Sequence, residues 1–337
     1  MALQCAIVGL ETIQCDWIEA IRQSSQSDWF RLVAVGHEHM PAARALGQVF
    51  DVPFYVDLRR MMLEITPQIV IIDRPASLPV DFIEACLQQG IGVFSLGPPV
   101  HTLAEASRLA QMLEPRTHRL YIWPRMSQGW AYQLCDQTED YLRGGYFLTG
   151  RWSAVNHALA RDWRATDGIV RSLSVLAWDA CRTVAELLGV PAALYASVQG
   201  AIGGGDRFID ATGCVSMTMR FVEATASLVI TDQELPARRR LEIFNRLGTL
   251  VLTDQSYRFT SSGDGKPKEE DSLAPPPAWR TRQQELEEFC RHFLMAPSPS
   301  RGWNHLLTET ASMMTAMLVS HRTNNAESPQ HFCGLHG

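Results

Sequence analysis

The chain has 337 residues, of which 46% are hydrophobic and 20% are charged, and its formal net charge is −6. A chain of this length is too long for one ordinary hydrophobic core, so two domains are expected. The acidic balance and the lack of basic runs argue against nucleic acid and anionic membrane surfaces as partners. No apolar run reaches the roughly 18 residues that a membrane-spanning helix needs, so no membrane partner is expected.

The eight cysteines are scattered along the chain without a C-x-x-C pair. This usage is typical of reduced, buried thiols and indicates a cytoplasmic protein. The N-terminus lacks a basic region and is used at once as a strand, so we expect no signal peptide. Only two of the 30 basic residues are lysines, Lys266 and Lys268, and both lie in one polar stretch.

The first part of the chain alternates short apolar strands with amphipathic helices. This alternation predicts a doubly wound parallel sheet with right-handed crossovers. Strands are predicted at 5–8, 31–36, 52–55, 68–73, 92–96 and 120–124. Helices are predicted from residue 13 to about 21 and at 41–50, 58–65, 78–89 and 102–113.

After residue 124 the rhythm changes, because strands follow one another without helices between them. Consecutive strands with short turns predict an antiparallel sheet and an α+β domain. Residues 260–282 are rich in polar residues and proline, so we expect a mobile loop there. Strands are predicted at 146–155, 193–199, 213–221, 227–231, 240–244 and 249–253, and helices at 132–143, 172–188, 283–294 and 303–321.

Gly9 ends the first strand and a helix follows, which is how a dinucleotide-binding βαβ unit opens. Its G-x-G-x-x-G fingerprint is incomplete, because Glu11 and Gln14 hold the second and third glycine positions. A carboxylate about 5 Å from a phosphate costs roughly 3 kcal/mol at an effective dielectric of about 20. A helix N-terminus returns only about 0.3–1 kcal/mol to an anion. The stretch therefore favours the fold and argues against its usual ligand.

The order of elements and several stretches resemble the Gfo/Idh/MocA family of glucose–fructose oxidoreductase and inositol dehydrogenase, over nearly the whole chain. The resemblance implies an α/β fold: a Rossmann-type domain over 1–123, then an α+β domain over 124–337 with an open, mainly antiparallel sheet. It also implies a homo-oligomer joined through that sheet. The stretches that carry the resemblance are 32–36, 42–46, 52–57, 82–90 with Val93 and Pro98, 239–252 and 285–289.

The positions that carry chemistry in that family differ here. The acidic residue after the second strand is His37, the Thr-Pro after the central strand is Arg74-Pro75, and the lysine of the E-K-P triplet is Gly97. The family's D-x-G-x-H-x-x-D helix has no histidine in either possible alignment. One alignment puts Asp179 at the histidine position, and the other puts Asp179 at the final aspartate.

Hydride transfer needs a nicotinamide held in place and a group that moves the alcohol proton. The replacements together favour a pseudoenzyme without a cofactor, which acts as a binding, regulatory or partner protein for a small carbohydrate-like ligand. The alternative is an active NAD(P)-dependent oxidoreductase on a sugar or polyol-like substrate, with NAD or NADP held unusually. In that case, the residues that would hold the dinucleotide are Gly9, Ile13, His37, Arg74 and Pro75.

A third hypothesis is an enzyme of another type, in which Asp179 and His157 act on a carbohydrate-like ligand. Asp179 and Arg182 lie three residues apart on a helix and share a face, so they form either a base with its partner or a structural ion pair. His157 either contacts substrate or belongs to a polar loop. Arg74 either binds a phosphate or carboxylate or fills the crevice in a salt bridge. We expect no metal site, because the imidazoles of the His37-Glu38-His39 turn should point apart.

Overall fold

A computed structural model of the chain describes residues 2–10, 15–73, 80–113, 119–123, 146–155, 165–200, 207, 213–253, 256–263, 267–271, 278–294 and 303–334. The predicted helix at 132–143 lies outside these residues. The chain forms two compact units. The first comprises Met1–Val100, Arg108–Trp123 and Pro276–Asn304, and the second comprises His101–Ser107, Pro124–Pro275 and His305–Gly337.

The first unit contains a six-stranded sheet in the order β3-β2-β1-β4-β5-β6, with every neighbouring pair parallel. The four residues of β4 and of β5 and the three of β6 are all buried, as expected of strands covered on both faces. The strands are β1 (Leu3–Val8), β2 (Phe30–Gly36), β3 (Phe54–Tyr55), β4 (Ile69–Ile72), β5 (Gly92–Ser95) and β6 (Leu120–Ile122).

Helices separate these strands, so the doubly wound topology predicted from the alternation is confirmed. The cap of the third helix shows how the sequence sets a helix start. Oδ1 of Asp57 accepts hydrogen bonds from the backbone N–H groups of Arg59 and Arg60, at 2.9 and 3.1 Å. The helices are α1 (Cys15–Ser24), α2 (Met40–Phe50), α3 (Leu58–Ile65), α4 (Val80–Gln88) and α5 (Leu103–Leu113).

A helix from late in the chain, α7 (Ala278–Leu294), also belongs to the first unit. Its residues Leu286, Phe289 and Cys290 are buried in one apolar core with Trp17 and Phe94. The hydroxyl of Tyr121 donates a hydrogen bond to Oε2 of Glu285, at 3.0 Å. The compact units therefore differ from the predicted domains 1–123 and 124–337, because α7 packs its apolar face on the N-terminal sheet and helices.

The second unit contains an eight-stranded sheet in the order β14-β13-β12-β11-β7-β10-β9-β8. The pair β7–β10 is parallel and the other pairs are antiparallel, so the sheet is mainly antiparallel, as predicted. The strands are β7 (Phe147–Val155), β8 (Ala193–Gln199), β9 (Cys214–Arg220), β10 (Thr225–Thr231), β11 (Gln233–Phe244), β12 (Gly248–Thr253), β13 (Tyr257–Ser261) and β14 (Pro267–Asp271).

Three helices accompany this sheet: α6 (Ala165–Leu188), α8 (Trp303–Thr323) and α9 (Pro329–Gly334). Helix α6 packs against β7 and β10. Along β8 and β9, residues alternate between buried and exposed, so one face of the sheet is covered and the other is open. In the part of the chain that is described, no helix is both long enough and apolar enough to cross a membrane.

The prediction of a mobile loop over 260–282 is wrong where the structure describes it. Strands β13 and β14 pair antiparallel through Arg258 opposite Glu270 and Phe259 opposite Glu269, and α7 already begins at residue 278. The charges and prolines that argued for a loop are also typical of an edge strand. Strand β14 begins with proline at its first residue and carries Lys268 and three acidic residues, which discourage pairing with another chain.

Candidate functional site

The turn after β1 lies where the carboxyl ends of neighbouring parallel strands meet. Gly9 has a φ of 76°, and its N–H donates to the carbonyl oxygen of Gly36 at 2.9 Å. A Cβ at Gly9 would lie 2.7 Å from the carbonyl oxygen of Asp73, so this position requires glycine. The neighbouring Glu11, Ile13 and Gln14 lie outside the described residues.

His37 directly follows β2 and is only 3% exposed. Its Nδ1 accepts a hydrogen bond from the backbone N–H of His39 at 2.9 Å, so the neutral ring carries its proton on Nε2. Burial, and then the neighbouring imidazole of His39, lower the pKa of His37. Nε2 is buried, and no hydrogen-bond partner for it is present among the described residues. His37 is thus a neutral buried donor at the end of β2.

The two imidazoles of the His-Glu-His turn lie close together. The ring centroids of His37 and His39 are 5.5 Å apart, with an angle of 38° between the rings. The hydrogen bond to His39 occupies Nδ1 of His37 and leaves only Nε2 of that ring for any other contact. Within the described ranges, no three histidine, cysteine, aspartate or glutamate side chains form a group that could hold a metal ion.

Gly97 lies in the buried segment after β5 and has a φ of 151°, a conformation that L side chains rarely adopt. The hydroxyl of Ser95 donates to the carbonyl oxygen of Gly97 at 2.8 Å. The N–H of Leu96 donates to the carbonyl oxygen of Ile72, also at 2.8 Å. These bonds hold the segment against β4. Gly97 itself has no side chain, so it offers no cationic group at this position.

Two of the predicted site residues next to the central strand, Arg74 and Pro75, lie outside the described residues, as does His157. Asp73, which precedes them, is described. Its N–H donates to the carbonyl oxygen of Val8 at 2.9 Å, which continues the β1–β4 ladder past the last strand residue. The parts proposed for Arg74, Pro75 and His157 therefore stay predictions.

Asp179 lies on α6 with an exposed fraction of 1%. Its Oδ2 accepts hydrogen bonds from Nε1 of Trp152 at 2.9 Å and from Nη1 of Arg239 at 3.1 Å. Trp152 and Arg239 stand opposite each other on β7 and β11, so one carboxylate oxygen joins the helix to two strands. Arg182, which shares a helical face with Asp179, contacts Glu186 one turn later at 3.3 Å.

The sequence reasoning missed both of these partners. Trp152 lies on the buried face of β7, where Leu148 and Gly150 precede it at two-residue spacing. Arg239 comes to the same level only through the register of β11, which shifts between Gln233 and Arg238. The period of two was a usable signal for Trp152. The irregular register left no such signal for Arg239.

A second buried carboxyl group lies between β10 and β11. Asp232 is 1% exposed, and its Oδ1 accepts a hydrogen bond from the N–H of Gly213 at 3.1 Å. Burial raises its pKa, and Oδ2 is buried with no hydrogen-bond partner in the described part of the chain. The hydroxyl of Thr231 donates to the carbonyl oxygen of Gly213 at 3.2 Å, which fixes the same corner.

A comparison with protein-family models places the N-terminal sheet in a known family. The model of the family GFO_IDH_MocA, described as an oxidoreductase family with an NAD-binding Rossmann fold, matches residues 3–122. This range covers β1 to β6 and includes Gly9, His37 and Gly97. No curated protein matches the chain.

Solved structures share the fold over nearly the whole chain. An NAD-binding oxidoreductase from Klebsiella pneumoniae is 14% identical with a TM-score of 0.79, covering 97% of this chain and 99% of the other. Levoglucosan dehydrogenase in complex with NADH and L-sorbose is 16% identical with a TM-score of 0.78, over 97% and 99%. UDP-N-acetylglucosamine 3-dehydrogenase from Acidithiobacillus ferrooxidans is 16% identical with a TM-score of 0.74, over 96% and 99%.

These TM-scores show a common fold, and the family model matches the N-terminal part, residues 3–122. The six-stranded parallel sheet and the mainly antiparallel second sheet are the two halves expected from the resemblance. Residues 3–122 thus match the Gfo/Idh/MocA oxidoreductase family, and over nearly its full length the chain has the fold of solved NAD-binding oxidoreductases.

Proposed function

We propose that this chain is a family member without nicotinamide-dependent hydride transfer, which acts as a binding, regulatory or partner protein for a small carbohydrate-like ligand. The observation that carries this proposal is Gly97. It stands where the resemblance places the family's lysine, and it offers no side chain to a nicotinamide or a substrate.

The backbone at Gly97 supports the same conclusion. Its φ of 151° is favourable for glycine and strained for lysine, at a cost of about 1–3 kcal/mol. The segment is adapted to glycine, and its carbonyl oxygen is held by the hydroxyl of Ser95. The chain contains only two lysines, Lys266 and Lys268. Lys268 lies on β14, an edge strand of the second sheet.

The contacts of Asp179 support a structural role for this residue. A general base must reach the proton that it abstracts and must hold a lone pair ready for it. Oδ2 of Asp179 already accepts from Trp152 and from the guanidinium of Arg239. These two donors already occupy lone pairs of the oxygen that proton abstraction would need. We infer that Asp179 joins α6 to β7 and β11.

The described residues fit a dinucleotide at one end only. Gly9 gives the tight turn after β1 that a pyrophosphate site requires, and the buried Nε2–H of His37 is a donor at the end of β2. At the nicotinamide end, Gly97 offers neither charge nor hydrogen-bonding side chain. Hydride transfer of the family type therefore does not fit these residues.

The alternative is an active NAD(P)-dependent oxidoreductase on a sugar or polyol-like substrate. The observation that favours it is the buried Nε2–H of His37, which has no hydrogen-bond partner among the described residues, because an unpaired buried donor costs about 1–3 kcal/mol. A ribose hydroxyl would satisfy this donor. The dinucleotide would then rest against Gly9, Ile13, His37, Arg74 and Pro75. Levoglucosan dehydrogenase, which shares the fold, is known in complex with both kinds of ligand that this alternative requires, a dinucleotide (NADH) and a sugar (L-sorbose).

Titration of the purified chain with NADH and NADPH, followed by nicotinamide fluorescence and by calorimetry, tests the proposal. We expect no oxidation or reduction of nicotinamide with L-sorbose or related polyols, whether or not the dinucleotide binds. Saturable micromolar binding together with turnover of any polyol would overturn the proposal. Loss of binding in His37→Asn, with binding retained in the exposed-site control His331→Asn, would assign such a site to the end of β2.

A further inference from the structure

Strand β8 is the edge strand of the eight-stranded sheet. It pairs with β9 along its whole length, from Ala193 opposite Arg220 to Gln199 opposite Cys214. Every second residue of such a strand directs its N–H away from the sheet, which here means Leu194, Ala196 and Val198. An edge of this kind is a template for pairing with another chain.

The chain itself supplies an acceptor for each of these three donors. Leu194 and Glu327 exchange two backbone hydrogen bonds of 2.7 and 2.8 Å, which form a one-residue antiparallel bridge. The N–H of Ala196 donates to Oγ of Ser320 at 2.9 Å, and the N–H of Val198 donates to Nδ1 of His321 at 3.2 Å. The end of α8 and the segment after it therefore follow the edge of β8 over five residues.

Local hydrogen bonds hold this segment in its turn. The hydroxyl of Ser320 donates to the carbonyl oxygen of Asn325 at 2.6 Å, and Asn324 has a φ of 56°, which reverses the chain after the helix. The hydroxyl of Tyr195 donates to Oδ1 of Asn324 at 2.8 Å, which attaches the turn to β8 itself. Ser320 thus both accepts from the strand and fixes the turn that positions Glu327.

We propose that residues 320–327 are an edge cap, which closes β8 against pairing with the β8 strand of a second copy of this chain. Opening of the cap releases three N–H donors in a row on a strand whose residues alternate strictly between buried and exposed. Two such strands pair antiparallel about a two-fold axis with their apolar residues on the same face. A second copy is therefore the partner whose pattern fits the opened edge.

The edge cap has a consequence for assembly of the intact chain. With the outward donors of β8 engaged, β8 is closed to edge-to-edge joining of sheets. An oligomer of the intact chain that uses this end of the sheet then uses its open face. The proposal is independent of the ligand and of catalysis, because each contact in it lies within the second unit.

The test compares Ser320→Ala with Ser320→Thr, which keeps a hydroxyl at the same position. We expect the amide protons of Leu194, Ala196 and Val198 to exchange roughly tenfold faster in Ser320→Ala and at close to the wild-type rate in Ser320→Thr. Sedimentation should show concentration-dependent association beyond the wild-type state in Ser320→Ala. Ala196→Pro in that background removes an edge donor and should abolish the added association.

Glu327→Pro is a second route to the same state, because it removes the N–H that bonds Leu194 at an only partly buried position. It should raise exchange and association as Ser320→Ala does. Gln330→Ala is the matched control, since Gln330 is exposed and its side chain contacts Val190 rather than β8. Unchanged exchange in both cap variants, or added association that survives Ala196→Pro, would overturn the proposal.

Discussion

The guanidinium of Arg239 donates a hydrogen bond to Oδ2 of Asp179 across 3.1 Å, from a partly exposed strand position to a fully buried helix position. The exposed fractions of the two side chains are 21% and 1%. Removing Arg239 and removing Asp179 should therefore lower the stability by different amounts, because water reaches the guanidinium but not the carboxylate.

We expect Asp179→Ala to lower the free energy of unfolding by about 3–5 kcal/mol, because it breaks a buried ion pair and leaves Trp152 Nε1 without its acceptor. Arg239→Ala should cost at least as much, because it takes a cation away from a carboxylate that water does not reach. Denaturant unfolding of both single variants and the double variant measures the coupling energy, which we expect in the range of about 0.5–3 kcal/mol. If Asp179→Asn kept full stability and removed a measured turnover, Asp179 would be a base.

Gly97→Lys should destabilise the chain by about 1–3 kcal/mol, because lysine is strained at the positive φ of this position. We also expect no nicotinamide turnover in this variant, because the backbone of the segment is shaped for glycine and would not hold the lysine in a productive position. Gly97→Ala should cost a similar amount. Gly263→Ala is the control, since a Cβ there would have only the hydroxyl of Ser261 nearby, at 3.8 Å. Thermal unfolding and a nicotinamide absorbance assay check both expectations. Turnover in Gly97→Lys would show that the lysine alone was missing.

The lowered pKa of His37 predicts an acid-sensitive stability. Between that lowered value and the ordinary value of about 6.5, the unfolded chain binds a proton that the folded chain does not. The free energy of unfolding therefore falls as the pH drops below about 6.5. His37→Asn keeps an acceptor for the N–H of His39 and cannot titrate, so its stability should depend less on pH in this window. The exposed-site variant His331→Asn is the control. If His37→Asn showed the same pH dependence of the unfolding free energy as that control and the wild type, this expectation would be contradicted.

Asp232 predicts a slope of the opposite sign. Burial raises its pKa, so above the ordinary value of about 3.9 the folded chain retains a proton that the unfolded chain loses. The free energy of unfolding falls as the pH rises through this window. Asp232→Asn keeps an oxygen for the N–H of Gly213 and should stabilise the chain at neutral pH by roughly 1 kcal/mol. Asp28→Asn, at an exposed position, should be neutral in the same denaturant titration.

The open face of the second sheet is the surface through which we expect the homo-oligomer to form. Val229 is 39% exposed there and lies between Arg151 on β7 and Ser216 on β9. Val229→Arg places two like charges opposite each other and should dissociate the oligomer. Val222→Arg, at a position that is 94% exposed in the β9–β10 turn, should leave it intact. Light scattering of both variants decides, and a wild-type monomer would refute the expectation.

The hydrophobic pattern was sufficient to predict the first sheet, because strands such as Ile69–Ile72 are apolar throughout and glycines such as Gly90 mark the ends of helices. The pattern failed at β14, where Glu269 and Glu270 form a strand only through pairing with β13. It also failed to assign α7 to its unit, since nothing local shows which sheet an amphipathic helix covers. The partners of Asp179 required the register of β11, which a single sequence does not contain.

The inclusion of α7 in the first unit bears on how this protein is made. Trp17 and Phe94 are covered in part by Phe289, whose ring centroid lies 5.5 Å from that of Phe94. During synthesis, about 150 further residues must therefore follow the N-terminal sheet before α7 can cover its apolar surface. A fragment that ends at residue 123 should expose apolar surface and aggregate. The same fragment should become soluble when a peptide spanning 278–294 is added.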